Sequence, residues 1–178
     1  SLNAGETLGL IGQNGAGKST LMNLIGGVVH PDSGTMQFKG TPYAPHRPSD
    51  AQAAGIAFIH QELNLFTNLS IAENIFISQF PRTGFLRSID RGAIRRKTTE
   101  LLTAVGLDLD PDIQVDRISP GERQLVEIAK ALYQDAELII LDEPTTSLTA
   151  RETERLFSIM DQLRASGKAL IYISHILH

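Results

Sequence analysis

The chain has 178 residues, 42% hydrophobic and 20% charged, enough to bury one sizeable core and a small accompanying subdomain. A formal net charge of −4 lacks the basic excess of a nucleic-acid footprint, and the absence of cysteine excludes thiolate metal sites and redox chemistry. No apolar run approaches the roughly 20 residues of a membrane helix, and the opening Ser1-Leu2-Asn3-Ala4-Gly5-Glu6 has neither region of a signal peptide.

Thr7 to Ile11 reads as a short apolar strand aimed at a glycine-rich loop. From Ser19 the period becomes helical, with Leu21, Leu24, Ile25 and Val28 at i, i+3, i+4 and i+7, closed by Gly26-Gly27 and Pro31. Residues 34–40 alternate as a strand, and the three prolines of 41–50 predict a loop. Ile56 to Ile59 is a second buried strand, ending at His60-Gln61. Ser70-x-x-Glu73 has capping-box spacing and opens a helix through Ile77. Asp90 begins another, with Ile94, Leu101, Leu102 and Val105 inward, and a third follows Pro120 with Leu125, Ile128, Ala129 and Leu132. A strand over Leu138 to Leu141 precedes a helix capped by Thr149-x-x-Glu152, with Leu156, Ile159, Met160 and Leu163 inward. A last strand, Ala169 to Ile173, runs up to Ser174-His175. Strand–helix alternation at both ends predicts an α/β fold on a mainly parallel sheet, interrupted by a helical insertion. The missing initiator Met and the stop just past His175 read as cuts in a longer chain.

Residues Gly12-Gln13-Asn14-Gly15-Ala16-Gly17-Lys18-Ser19-Thr20 fit G-x-x-x-x-G-K-[ST]. Its glycines let backbone amides approach phosphate oxygens, and the following helix adds its positive end. Lys18 then meets the β- and γ-phosphates while Ser19 ligates magnesium. The bland alternative, a turn that only joins strand to helix, does not account for Lys18-Ser19 at this spacing. Asp142 and Glu143 end an aliphatic run, as a strand covered on both faces would deliver them. Strand alternation predicts that they point to opposite sides, Asp142 to the metal and Glu143 to the attacking water. The two motifs together predict ATP and Mg2+ as ligands and ATP hydrolysis as the reaction.

Ile118-Ser119-Pro120-Gly121-Glu122-Arg123-Gln124 resembles the signature segment of ABC-type ATPases. The likeness extends over essentially the whole chain: the phosphate loop, Gln61, the signature, the aspartate–glutamate pair, Ser147-Leu148-Thr149 and His175. The strings His60-Gln61-Glu62-Leu63-Asn64, Ala72-Glu73-Asn74-Ile75 and Val126-Glu127-Ile128-Ala129-Lys130-Ala131-Leu132 resemble the first cassette of sugar-importer ATPases of the ribose, galactoside and xylose type. The resemblance implies a P-loop NTPase fold with a mainly parallel sheet core (about 1–61 and 136–178), a small antiparallel β portion and a helical subdomain (about 62–135). It implies that Gln61 touches magnesium and the attacking water, that His175 contacts the γ-phosphate and holds Glu143, and that Ser119 and Gly121 cover the γ-phosphate of ATP on a second cassette. It further implies membrane permease subunits and, indirectly, a periplasmic sugar-binding protein as partners, no nucleic acid, and a peripheral place on the cytoplasmic face of the cell membrane. This chain departs from the common pattern at Pro120, which lacks an amide donor, and at Glu122, whose carboxylate could repel a phosphate. The family's adenine-stacking aromatic would precede residue 1.

The remaining histidines carry less: His60 reads as packing, and His30, His46 and His178 show no ligand spacing. The basic stretch Arg91 to Lys97 reads as a solvated helix face, and Phe76, Phe80 and Phe85 as core or as a groove for a membrane-subunit helix. A soluble ABC-type ATPase and an ATP-dependent interaction module without turnover remain as alternatives. A GTPase is disfavoured because no Asn-Lys-x-Asp string occurs.

Overall fold

A computed structural model describes residues 1–13, 15–60, 64–77, 82–83 and 88–175. β1 (Thr7–Ile11) enters the glycine-rich loop and α1 (Lys18–Ile25) leaves it. β2 (Met36–Phe38) and β3 (Thr41–Tyr43) pair antiparallel, followed by α2 (Pro48–Ala54) and β4 (Ile56–Ile59). The middle comprises α3 (Ile71–Phe76), the short antiparallel pair β5 (Arg82–Thr83) and β6 (Ser88–Ile89), α4 (Arg91–Ala104) and α5 (Pro120–Tyr133). β7 (Leu138–Asp142), α6 (Ala150–Ala165) and β8 (Ala169–Ser174) follow.

The main sheet has the order β1-β8-β7-β4, with every pair parallel. β7 and β8 hold the central places and are covered on both faces, which is why their sequences are unbroken aliphatic runs. Leu138 and Ile140 face one cluster with Met22, Ile56, Ile171 and Ile173, whereas Ile139 and Leu141 face the other with Ile128, Leu156 and Leu170. β1 lies at an edge and leaves Leu8 and Ile11 exposed. Because all four strands run the same way, their carboxyl ends open on one crevice, where ligands of such sheets bind.

Two sequence expectations change. The helix after the loop ends at Ile25, so Val28 is exposed and Met22, not Leu21, is the buried residue. Gly27 turns the chain away there with φ +69°, and a Cβ on it would lie 2.9 Å from Arg47 and Pro45. The segment 41–50 is not plain loop. Pro42 sits opposite Gln37 in a two-stranded hairpin, where a missing N–H breaks no interior ladder, and Pro48 starts α2, where its fixed φ suits the first turn.

Local rules explain the helical middle. Ser70 and Glu73 form the expected capping box on α3, and Asp90 Oδ1 accepts from the Ala93 N–H to cap α4. Fully buried Asn74 ties the preceding loop to α3: its Oδ1 accepts from the Phe66 N–H at 2.8 Å, and its Nδ2 donates to the carbonyls of Phe66 (3.0 Å) and Ser70 (2.9 Å). Phe76 is core, with its ring 4.3 Å from that of Tyr133. Phe80 and Phe85 lie outside the described residues.

Candidate active site

Gly15 and Gly17 adopt left-handed backbone, φ +85° and +91°, which a side chain would strain. Gly17 is the N-cap of α1 and brings no side-chain cap, so the first-turn amides stay available to an anion. Lys18 folds back over the loop and donates to the carbonyl of Gly12 and, at 3.1 Å, to that of Gln13. Gly15, Gly17, Lys18, Ser19 and Thr20 line a cavity of about 450 Å³, and Asp142 and Glu143 line it with them. Loop and acidic strand end, more than a hundred positions apart in sequence, therefore open on the same space. Asn14 and Gln61 lie outside the described residues.

Asp142 is the last residue of β7, and burial first, then the Glu143 charge, pushes its carboxyl above the usual range against the pull of His60 and Lys18. The expectation of opposite-facing carboxylates is corrected here. Alternation stops at Asp142 because Glu143 takes φ +48°, so both side chains turn into the one cavity. The turn is held by the Glu143 N–H donating to the Ile173 carbonyl at 3.0 Å, and by Thr146 Oγ1 donating to the Glu143 carbonyl at 3.0 Å. His175 follows β8, and its Nδ1 lies 2.8 Å from Glu143 Oε1. Nearby in sequence to each, the Thr145 and Tyr172 hydroxyls meet at 3.2 Å.

Ser119 and Gly121 do not line this cavity; they start α5. The helix begins at Pro120, in the first-turn position where a missing N–H costs nothing. Glu122 is also engaged: its Oε2 accepts from the Ser119 N–H at 2.8 Å in a capping box that the spacing Ser119-x-x-Glu122 already carried. Glu152 caps α6 with Thr149 as the spacing predicts, but sequence reasoning missed its second contact: its Oε1 accepts from Ser119 Oγ at 3.0 Å. Hydrogen bonds from Thr149, Ser119 and the Gly121 N–H hold its carboxyl below the usual range. That contact joins residues far apart in sequence, so no local pattern announces it. Also missed was Glu127 on α5, buried with an unpartnered Oε1, its carboxyl raised by burial despite Lys130, Asn64 and His60.

His60 is exposed and stacks on Phe58, while His30 and His46 meet edge to face. His178 lies outside the described residues, and among those described no group of three or more His, Asp or Glu side chains could hold a metal. In the basic stretch, exposed Arg95 pairs with Asp110 and Asp112, and Lys97 with Glu100. No described helix is long and apolar enough to cross a membrane.

The parallel sheet with its glycine loop, helical middle and strand-end carboxylates defines a P-loop ATP-binding cassette fold. The chain belongs to the ABC transporter family, whose pattern matches residues 1–146. It is 49% identical over 174 residues to the arabinose import ATP-binding protein AraG 1 of Burkholderia ambifaria. It is equally similar to a putative ribose/galactose/methyl galactoside import ATP-binding protein of Agrobacterium fabrum. Each alignment covers 98% of this chain and 34% of the relative, so the chain spans about a third of their length. Among solved structures, the ADP conformation of MJ1267, an ATP-binding cassette of an ABC transporter, matches with TM-score 0.85 at 25% identity, over 99% of this chain and 73% of that one. A nucleotide-free cassette matches at 0.84 and 26% identity, over 98% and 72%.

Proposed function

We propose that the chain binds magnesium-ATP and hydrolyses it as a cassette of a monosaccharide importer. The observation that carries this is the shared cavity of Lys18, Ser19, Asp142 and Glu143, with His175 against Glu143. The loop amides and Lys18, once it releases the Gly12 and Gln13 carbonyls, bind the phosphates. The donor set fits a magnesium ion, since the Ser19 hydroxyl and the Asp142 carboxylate are hard oxygens in one cavity and Gln61 follows the adjacent strand. When bound, that ion supplies charge neutralisation at the phosphate oxygens. Glu143 orients the attacking water and accepts its proton, and the His175 ring holds Glu143 in place. Gly12, Gln13, Asn14, Ala16 and Thr20 complete the cradle.

The names of the relatives support import of a sugar. The family resemblance adds permease subunits in the membrane, a sugar-binding protein acting through them, and a place for the cassette on the cytoplasmic face. We read residues of about 1–61 and 136–178 as the catalytic core and about 62–135 as the arm that meets the permease. Ser119 and Gly121 serve a nucleotide on a second cassette, which agrees with their place away from the chain's own cavity. The isolated chain therefore binds ATP but turns it over only when two copies close. Phosphate release measured against protein concentration tests this. A rise steeper than linear is expected, with Glu143→Gln keeping ATP affinity while losing at least about a hundred-fold in turnover. Strict proportionality, or wild-type turnover in Glu143→Gln, would contradict the reading.

A further inference from the structure

The amino end of α5 is not open. Ser119 Oγ donates to Glu152 Oε1 at 3.0 Å, and the same carboxylate lies against Gly121, where a Cβ would collide with it, 2.6 Å from its Cδ. The other oxygen of Glu152 accepts from Thr149 N (2.9 Å) and from Thr149 Oγ1 (2.8 Å). One carboxylate thus caps α6, on which it stands, and occupies the amino end of α5 across the fold. It takes up the Ser119 hydroxyl that a phosphate at α5 would need, covers Gly121, and brings a negative charge to the same spot.

We infer that Glu152 is an internal anion that holds the Ser119–Gly121 site shut in the separated cassette and must give way to the γ-phosphate of the partner's nucleotide when two cassettes close. This rests on the reading of Ser119 and Gly121 as contacts across a cassette interface. The exchange needs no new donor: Ser119 Oγ passes from one anion to another, and the space over Gly121 passes with it. Glu152 then keeps its bonds to Thr149, so α6 stays capped. Because Thr149 ends the segment that leaves Glu143, release of Glu152 from Ser119 also frees that segment to adjust as the interface forms.

The test compares wild type, Glu152→Gln and Glu152→Asp. Glutamine suits the same helix position, so α6 keeps its cap without the charge. Aspartate keeps the charge but is too short to span Thr149 and Ser119. Magnesium-ATP-driven self-association, followed by sedimentation, should tighten on the order of ten-fold in Glu152→Gln, and in the same direction in Glu152→Asp. ATP affinity of dilute, separated chains should stay at the wild-type value, because Glu152 does not line the nucleotide cavity. Association unchanged or weakened in both variants, with melting temperatures near wild type, overturns the inference. Self-association no weaker in Ser119→Ala than in wild type defeats the interface reading itself, and with it this one.

Discussion

Glu143 has a left-handed backbone that costs a non-glycine residue about 1–2 kcal/mol, yet the Ile173 carbonyl, the Thr146 hydroxyl and His175 hold it there. The strain is what turns a second carboxylate into a cavity that strand alternation would have denied it. A different kind of cost sits at Glu127, whose buried Oε1 has no partner. Burial raises its carboxyl above the unfolded value, so between those two values the folded chain keeps a proton that the unfolded chain has lost. Stability from this group is therefore present in acid and is lost as pH climbs through the raised value. Glu127→Gln, which never ionises, should gain stability relative to wild type on going from about pH 5 to about pH 8, read from urea midpoints. A difference that does not change with pH would show that the carboxyl is not penalised by its burial.

At the scale of elements, the middle of the chain is held by side chains that satisfy backbone groups. Asn74 is the clearest, since it is fully buried and bonds Phe66 at both its N–H and its carbonyl. Asn74→Ala leaves those groups without partners and should cost about 2 kcal/mol in denaturant unfolding, with α3 otherwise intact. A cost within about 0.5 kcal/mol of zero would mean the loop packs without it. Capping boxes at Ser70, Thr149 and Ser119 were all written in S/T-x-x-E spacing, and the β7 and β8 strands in their aliphatic runs. β3 and α2 were not legible, because prolines that usually mark loops are also tolerated at a sheet edge and a helix start, and only tertiary context chooses. The Glu152–Ser119 contact was hidden for another reason: it depends on how two helices pack, which neither local sequence encodes.

Across the whole molecule, the parallel sheet does the positioning. β1 and β8 bring the glycine loop beside His175, and β7 between β8 and β4 sets Asp142 and Glu143 into the same crevice. The residue types of the cradle and the acid pair were readable from motifs, whereas their convergence required the strand order β1-β8-β7-β4. The convergence is tested most directly by the effect of magnesium-ATP on the chain's unfolding free energy. At a hundred times the dissociation constant, wild type should gain about 2.7 kcal/mol. Lys18→Ala, and separately Asp142→Asn, should lose most of that gain at the same nucleotide concentration. Equal stabilisation of wild type and both variants, or no stabilisation of any, would mean that loop and carboxylates do not meet around one triphosphate.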